Sequence, residues 1–121
     1  MKSSILKEKS FSFALRIVKL SQFLQKDCKE FVLSKQLLRS GTSVGANTRE
    51  AFNGESTKDF IHKLSIAQKE TDETLYWIEL LFAAHYINQI QFDSINADAI
   101  EMIKLLKSSI LKSKTKAIHN T

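Results

Sequence analysis

A chain of 121 residues and 13.8 kDa has room for one domain and one hydrophobic core. Its 43% apolar and 26% charged residues exclude a disordered polymer, and its single cysteine excludes an internal disulfide. The net charge of +5 is uneven, with basic ends and an acidic middle, and no run nears the roughly 18 apolar residues of a membrane span.

There are no prolines and only three glycines. A sheet protein of this size needs many turns, and turns lean on both residues, so the composition favours long helices. The N-terminus, MKSSILKEKSFSF, lacks an apolar run long enough for a signal peptide. A reducing cytoplasm is therefore the expected compartment.

Four apolar-periodic segments follow. The first spans about 5–25, with Phe13, Ile17, Leu20 and Leu24 on one helical face. The second spans about 30–52 and carries Leu33, Leu37, Ser40, Val44, Asn47 and Ala51 on a stripe. Gly41 and Gly45 interrupt it, each costing about 1 kcal/mol relative to alanine. The stripe keeps its phase through both, and the small residues from Ser40 to Ala46 suit close approach by another helix. Asn53-Gly54 should end this helix, as both tolerate a left-handed C-terminal conformation. Ser56 is then a candidate N-cap, with Asp59 in a variant of the capping box.

The third segment, about 57–87, has the most regular pattern: Phe60, Leu64, Ala67, Thr71, Thr74, Ile78 and Leu81 step by four and three without a break. Ile61, Ile66, Trp77, Leu80 and Phe82 lie off that stripe, so a second face is apolar. Surplus surface of this kind predicts a subunit interface through Ile61, Trp77 and Leu80. The fourth segment, about 91–112, aligns Ile95, Ala99, Met102, Leu106 and Ile110, and a frayed tail over 113–121 is expected. Together the segments predict a single all-α domain, an antiparallel up-down-up-down four-helix bundle.

Lys104, Lys107, Lys112, Lys114 and Lys116 fall within thirteen positions. With Lys19 and Lys26 of the first helix they are candidate nucleic-acid-facing cations. Two other readings stay open. The cations can simply offset the helix dipole at a solvated end, or basic and acidic faces of neighbouring subunits can meet head to tail.

The chemistry of catalysis is poorly represented. His62, His85 and His119 are far apart, and none has a Cys or His partner at metal-ligand spacing. Glu70 and Glu73 lack the histidine of a di-metal Glu-x-x-His motif. The glycines of S-G-T-S-V-G-A-N lack a P-loop lysine, and Cys28 has no base partner placed by spacing. Neither metal nor cofactor is expected. One polar constellation remains: Arg39, Ser43, Asn47 and Glu50 step along one face of the second helix. With Glu70 and Glu73 of the third helix they predict a polar network between helices, fixing register more than chemistry.

The run from Leu37 to Leu81 contains R-S-x-x-S-V-x-A-N (Arg39 to Asn47), then Glu50, S-x-x-D-F (Ser56 to Phe60) and A-x-K-E-x-x-E-T-x-Y-W (Ala67 to Trp77). It resembles the bacterial four helix bundle proteins encoded in intervening sequences of large-subunit ribosomal RNA genes. The sequence departs from that pattern at Thr48-Arg49 and lacks a proline in the first turn. The resemblance implies an antiparallel four-helix bundle assembled as a homopentamer, without known enzymatic activity. The expected function is thus a non-enzymatic oligomeric scaffold with RNA or protein partners. The alternative is a nucleic-acid-binding accessory protein similar to those of diversity-generating reverse transcriptases.

Overall fold

The computed structural model describes residues 2–119, and among them forms four helices and no strand. They are α1 (Lys2–Lys26), α2 (Leu33–Phe52), α3 (Thr57–Ala83) and α4 (Gln89–His119). α2 packs against α1 and α3, α4 packs against α3, and α1 closes the circuit on α4.

The predicted stripes supply most of the core. On α4, Ile95, Ala99, Met102, Leu106 and Ile110 are all buried. On α3 the buried set runs from Leu64 through Ala67, Thr71, Thr74 and Ile78 to Leu81. Phe60 is half-buried and meets Phe52 edge-on, with ring centroids 5.1 Å apart. On α1, Phe13, Ile17 and Leu24 are buried with Leu6, while Leu20 is half-buried. Each buried large side chain contributes about 1.5–3 kcal/mol relative to exposure.

The α2 stripe differs from expectation at two positions. Ser34 and Thr48 are buried where Leu33 and Asn47 were expected, and those two are half-buried. The buried hydroxyls need no apolar disguise. Thr48 Oγ1 donates to the Val44 carbonyl at 2.8 Å, and Ser34 Oγ donates to the Glu30 carbonyl at 2.8 Å. A small hydroxyl side chain that bonds a backbone carbonyl four residues earlier can occupy a tight core.

The two glycines of α2 face α1. A Cβ on Gly41 would lie 2.5 Å from Ile17 Cγ2, and one on Gly45 would lie 3.2 Å from the Ser10 carbonyl oxygen. Their absent side chains thus set the distance between α1 and α2.

The helix ends explain the remaining differences. α2 starts at Leu33, not near 30, because Glu30 caps it from outside. Its carboxylate accepts from the backbone N–H groups of Val32, Leu33 and Ser34 at 3.1, 3.0 and 2.7 Å. α2 ends at Phe52 without any left-handed residue: Asn53 has φ −98° and no glycine has positive φ. Instead Asn53 and Gly54 donate to the Glu50 and Ala51 carbonyls, and Ser56 Oγ accepts from Asp59 N–H at 3.1 Å as predicted.

α3 ends at Ala83, four residues short of expectation, because His85 takes a left-handed conformation with φ 68°. Tyr86 N–H then bonds the Leu81 carbonyl and His85 N–H the Phe82 carbonyl, a Schellman closure. α4 begins early through a reciprocal box. Asn88 Oδ1 accepts from Gln91 N–H, and Gln91 Oε1 accepts from Asn88 N–H, both at 2.8 Å. Where a frayed tail was expected from 113, α4 stays helical to His119, with its end beside the α2–α3 turn around Phe52, Gly54 and Ser56. Residues 120 and 121 of that tail lie outside the described residues.

Candidate functional site

The predicted polar network resolves into three separate groups. Arg39 projects from α2 with Glu70 and Glu73 opposite on α3. Its Nη1 donates to Glu70 Oε2 at 3.0 Å and its Nη2 to Glu73 Oε2. The same Glu73 oxygen accepts from Trp77 Nε1 at 3.1 Å. Glu70, Glu73 and Trp77 step by three and four, so one α3 face presents all three to a single guanidinium. Below them Thr74 Oγ1 donates to Ser40 Oγ at 2.8 Å, a buried bond from α3 to α2.

The other members lie elsewhere. Asn47 Nδ2 donates to the Ser43 carbonyl of its own helix at 2.9 Å. Glu50 pairs with Lys63 Nζ at 3.2 Å. Eleven residues separate Arg39 from Glu50, about 16 Å of helix. A shared face therefore does not make a shared site. In the Arg39 group both carboxylates are already matched by a cation and an indole N–H, which is a register lock between α2 and α3. Arg39 is half exposed, so its ion pairs contribute modestly, about 1 kcal/mol or less.

Among the described residues no group of three or more His, Cys, Asp and Glu comes together to hold a metal. His62 and His85 are exposed, and the side chain of His119 lies outside the described residues. Cys28 is half-buried, its Sγ 3.8 Å from the Tyr86 carbonyl.

The fold biases the ionisation of Glu30. Burial opposes its charge, but the N–H groups of Leu33, Ser34 and Val32 and the Ser34 hydroxyl outweigh that opposition. Its carboxyl is held below the ordinary value.

The candidate basic residues are divided between two regions. Lys19 and Lys26 are exposed on the second half of α1, whose Arg16 meets Ser94 and Asp98 of α4. Lys104, Lys107, Lys112, Lys114 and Lys116 are exposed along its second half. From the start of α4 to Lys116 is about 40 Å at the usual helical rise.

The apolar surplus is also redistributed. Ile61 and Trp77 are half-buried and pack against the core, and Leu80 is half-buried. On α3 the exposed aromatic is Tyr76, at 57%. The larger exposed set sits on α1 and α4: Phe11 (59%), Leu15 (46%), Leu111 (66%) and Ile118 (73%). A groove of about 470 Å³ runs between α1 and α2 beside Phe11. Sequence periodicity marked Phe11 and Leu15 only by leaving them off the core stripe, a weak signal until the stripe's phase is known.

A family model described as 23S rRNA-intervening sequence protein matches residues 2–108. No curated protein matches the chain. A crystal structure of a protein of unknown function from the S23 ribosomal protein family of Bacteroides thetaiotaomicron VPI-5482 superimposes with a TM-score of 0.89. The two are 56% identical, over 91% of this chain and 98% of that one.

Proposed function

The chain belongs to the 23S rRNA-intervening sequence protein family, and from that membership we propose that it is a non-enzymatic, cytoplasmic, homo-oligomeric scaffold. Its helices form an antiparallel up-down-up-down bundle in this reading. The cross-links from Arg39 to Glu70 and Glu73, Ser40 to Thr74 and Glu50 to Lys63 support it, since numbers rise on α2 as they fall on α3.

The observation that carries the scaffold reading is the contrast between interior and surface. Every buried side-chain polar atom among the described residues has a partner, so the interior is satisfied from within. Large apolar side chains outside the core, Phe11, Leu15 and Leu111 among them, are exposed. They suit contact with further copies, which the family resemblance makes a homopentamer. No helix of the described residues is long and apolar enough to cross a membrane.

A second reading, an RNA-contacting accessory protein, is favoured by the exposed lysines Lys104, Lys107, Lys114 and Lys116 along one half of α4. Phosphate contacts release counterions, so RNA retention should fall steeply between 50 and 200 mM salt, by roughly tenfold or more for a few contacts. Alanine at Lys104, Lys107 and Lys114 together should flatten that slope. Retention that is absent, or equal at both salts, sinks the RNA reading and leaves the scaffold reading intact.

A further inference from the structure

We propose that the groove between α1 and α2 of one copy receives the Asp72–Tyr76–Glu79 face of α3 from a second copy. This rests on the oligomeric reading above and names the surfaces that would join.

The groove is apolar at its base, where Phe11 and Ala14 of α1 face Gly45 and Ala46 of α2. Its rim is cationic. Lys7 and Arg49 line it, with the Lys7 ammonium 5.0 Å from the centroid of the Phe52 ring. Arg49 is exposed and has no ion pair among the described residues. Glu50 also lines the groove, but Lys63 already neutralises it at 3.2 Å. An apolar trough between uncompensated cations selects an apolar or aromatic side chain flanked by carboxylates.

The same chain presents that chemistry on α3. Asp72, Tyr76 and Glu79 step by four and three, so they share one face. All three are exposed, and neither carboxylate has an ion pair among the described residues. Tyr76 is exposed and stands edge-on to Trp77, with ring centroids 5.1 Å apart at an interplanar angle of 66°. Lys69 sits one turn earlier, so the acidic character belongs to the second half of the helix.

α1 and α3 are not neighbours among the described residues. The α2 residues of the groove, from Thr42 to Asn53, lie beyond Ser40, the partner of Thr74, and Glu50 among them meets Lys63, so the groove and the Asp72–Glu79 face are offset along the bundle and do not meet within one chain. A contact between two different patches is heterologous: it repeats from copy to copy, and closes into a ring when the rotation allows. The exposed basic groove and the exposed acidic face would then each be used once per subunit.

Charge reversal separates this pairing from assembly in general. Masses would be measured by light scattering at micromolar concentration for the wild type, Arg49→Glu, the double variant D72K/E79K, and the three changes combined. All sites are exposed, and helicity by circular dichroism checks folding. The expected result is that each one-sided variant dissociates at roughly tenfold higher concentration than the wild type, while the combined chain regains the larger mass. A larger wild-type mass unmoved by any variant overturns this pairing and leaves the oligomeric reading standing. One-sided dissociation without recovery in the combined chain also overturns the pairing. A monomeric wild type overturns both.

Discussion

Gly41 and Glu30 show how single positions set the geometry of this chain. Alanine at Gly41 would gain about 1 kcal/mol of helix propensity. Its Cβ, however, would meet both γ carbons and the Cβ of Ile17 within 2.9 Å, and Ile17 is fully buried and stiff at χ1. Overpacking of this kind costs about 1–3 kcal/mol, so Gly41→Ala should be net destabilising. Gly45→Ala meets the Ser10 carbonyl oxygen at 3.2 Å and Ala14 Cβ at 3.5 Å, a milder approach that the propensity gain offsets, and should be near neutral. Urea midpoints at unchanged m-value compare the two; a stabilised Gly41→Ala would refute the close approach of α1. Glu30 adds a pH dependence. Its folded carboxyl lies below its unfolded value, so its stabilisation is full above the ordinary carboxylate range and fades as pH falls through the lowered folded value. Glu30→Gln should cost about 1–2 kcal/mol at neutral pH as a weakened cap. The gap to wild type should shrink below about pH 4. A gap that is constant with pH would show that the charge has no part in capping.

At the scale of elements, the helix ends decide where the chain reverses. His85 holds a left-handed position that L-residues adopt at a cost of about 1–2 kcal/mol. His85→Gly should therefore raise stability by about 0.5–1 kcal/mol, part of the gain being offset by the freer unfolded chain. Thermal unfolding reads this directly, and a lower Tm would mean the histidine side chain contributes something its exposed position does not suggest. The same ends mark the limit of what periodicity conveys. The stripes of α3 and α4 were legible because their apolar residues repeat with one phase over many turns. The starts of α2 and α4 were not, because Glu30 caps from outside its helix and Asn88 works through Gln91, a box built on amides. The end of α3 was hidden since a histidine stands where glycine or asparagine would have announced it. The polar site was legible only in part. Arg39, Glu70 and Glu73 do meet, but helical spacing could not reveal that α3 passes Arg39 and Glu50 at places about 16 Å apart along α2.

For the whole molecule, the proposed scaffold is an internally satisfied bundle whose apolar surplus on the outside would serve assembly. The core is filled by one stripe from each helix, and its hydroxyls bond within it. What remains uncovered on α1 and α4 is large, apolar and set among cations. Sequence alone located that surplus on α3, because a long helix with apolar residues off its main stripe looks two-faced until Ile61 and Trp77 are seen packed against the core. The solution mass of the wild-type chain by sedimentation equilibrium at micromolar concentration tests this most directly. The account predicts one species at a whole multiple of 13.8 kDa, five copies if the family resemblance holds in full. A single species at 13.8 kDa across that concentration range would contradict it.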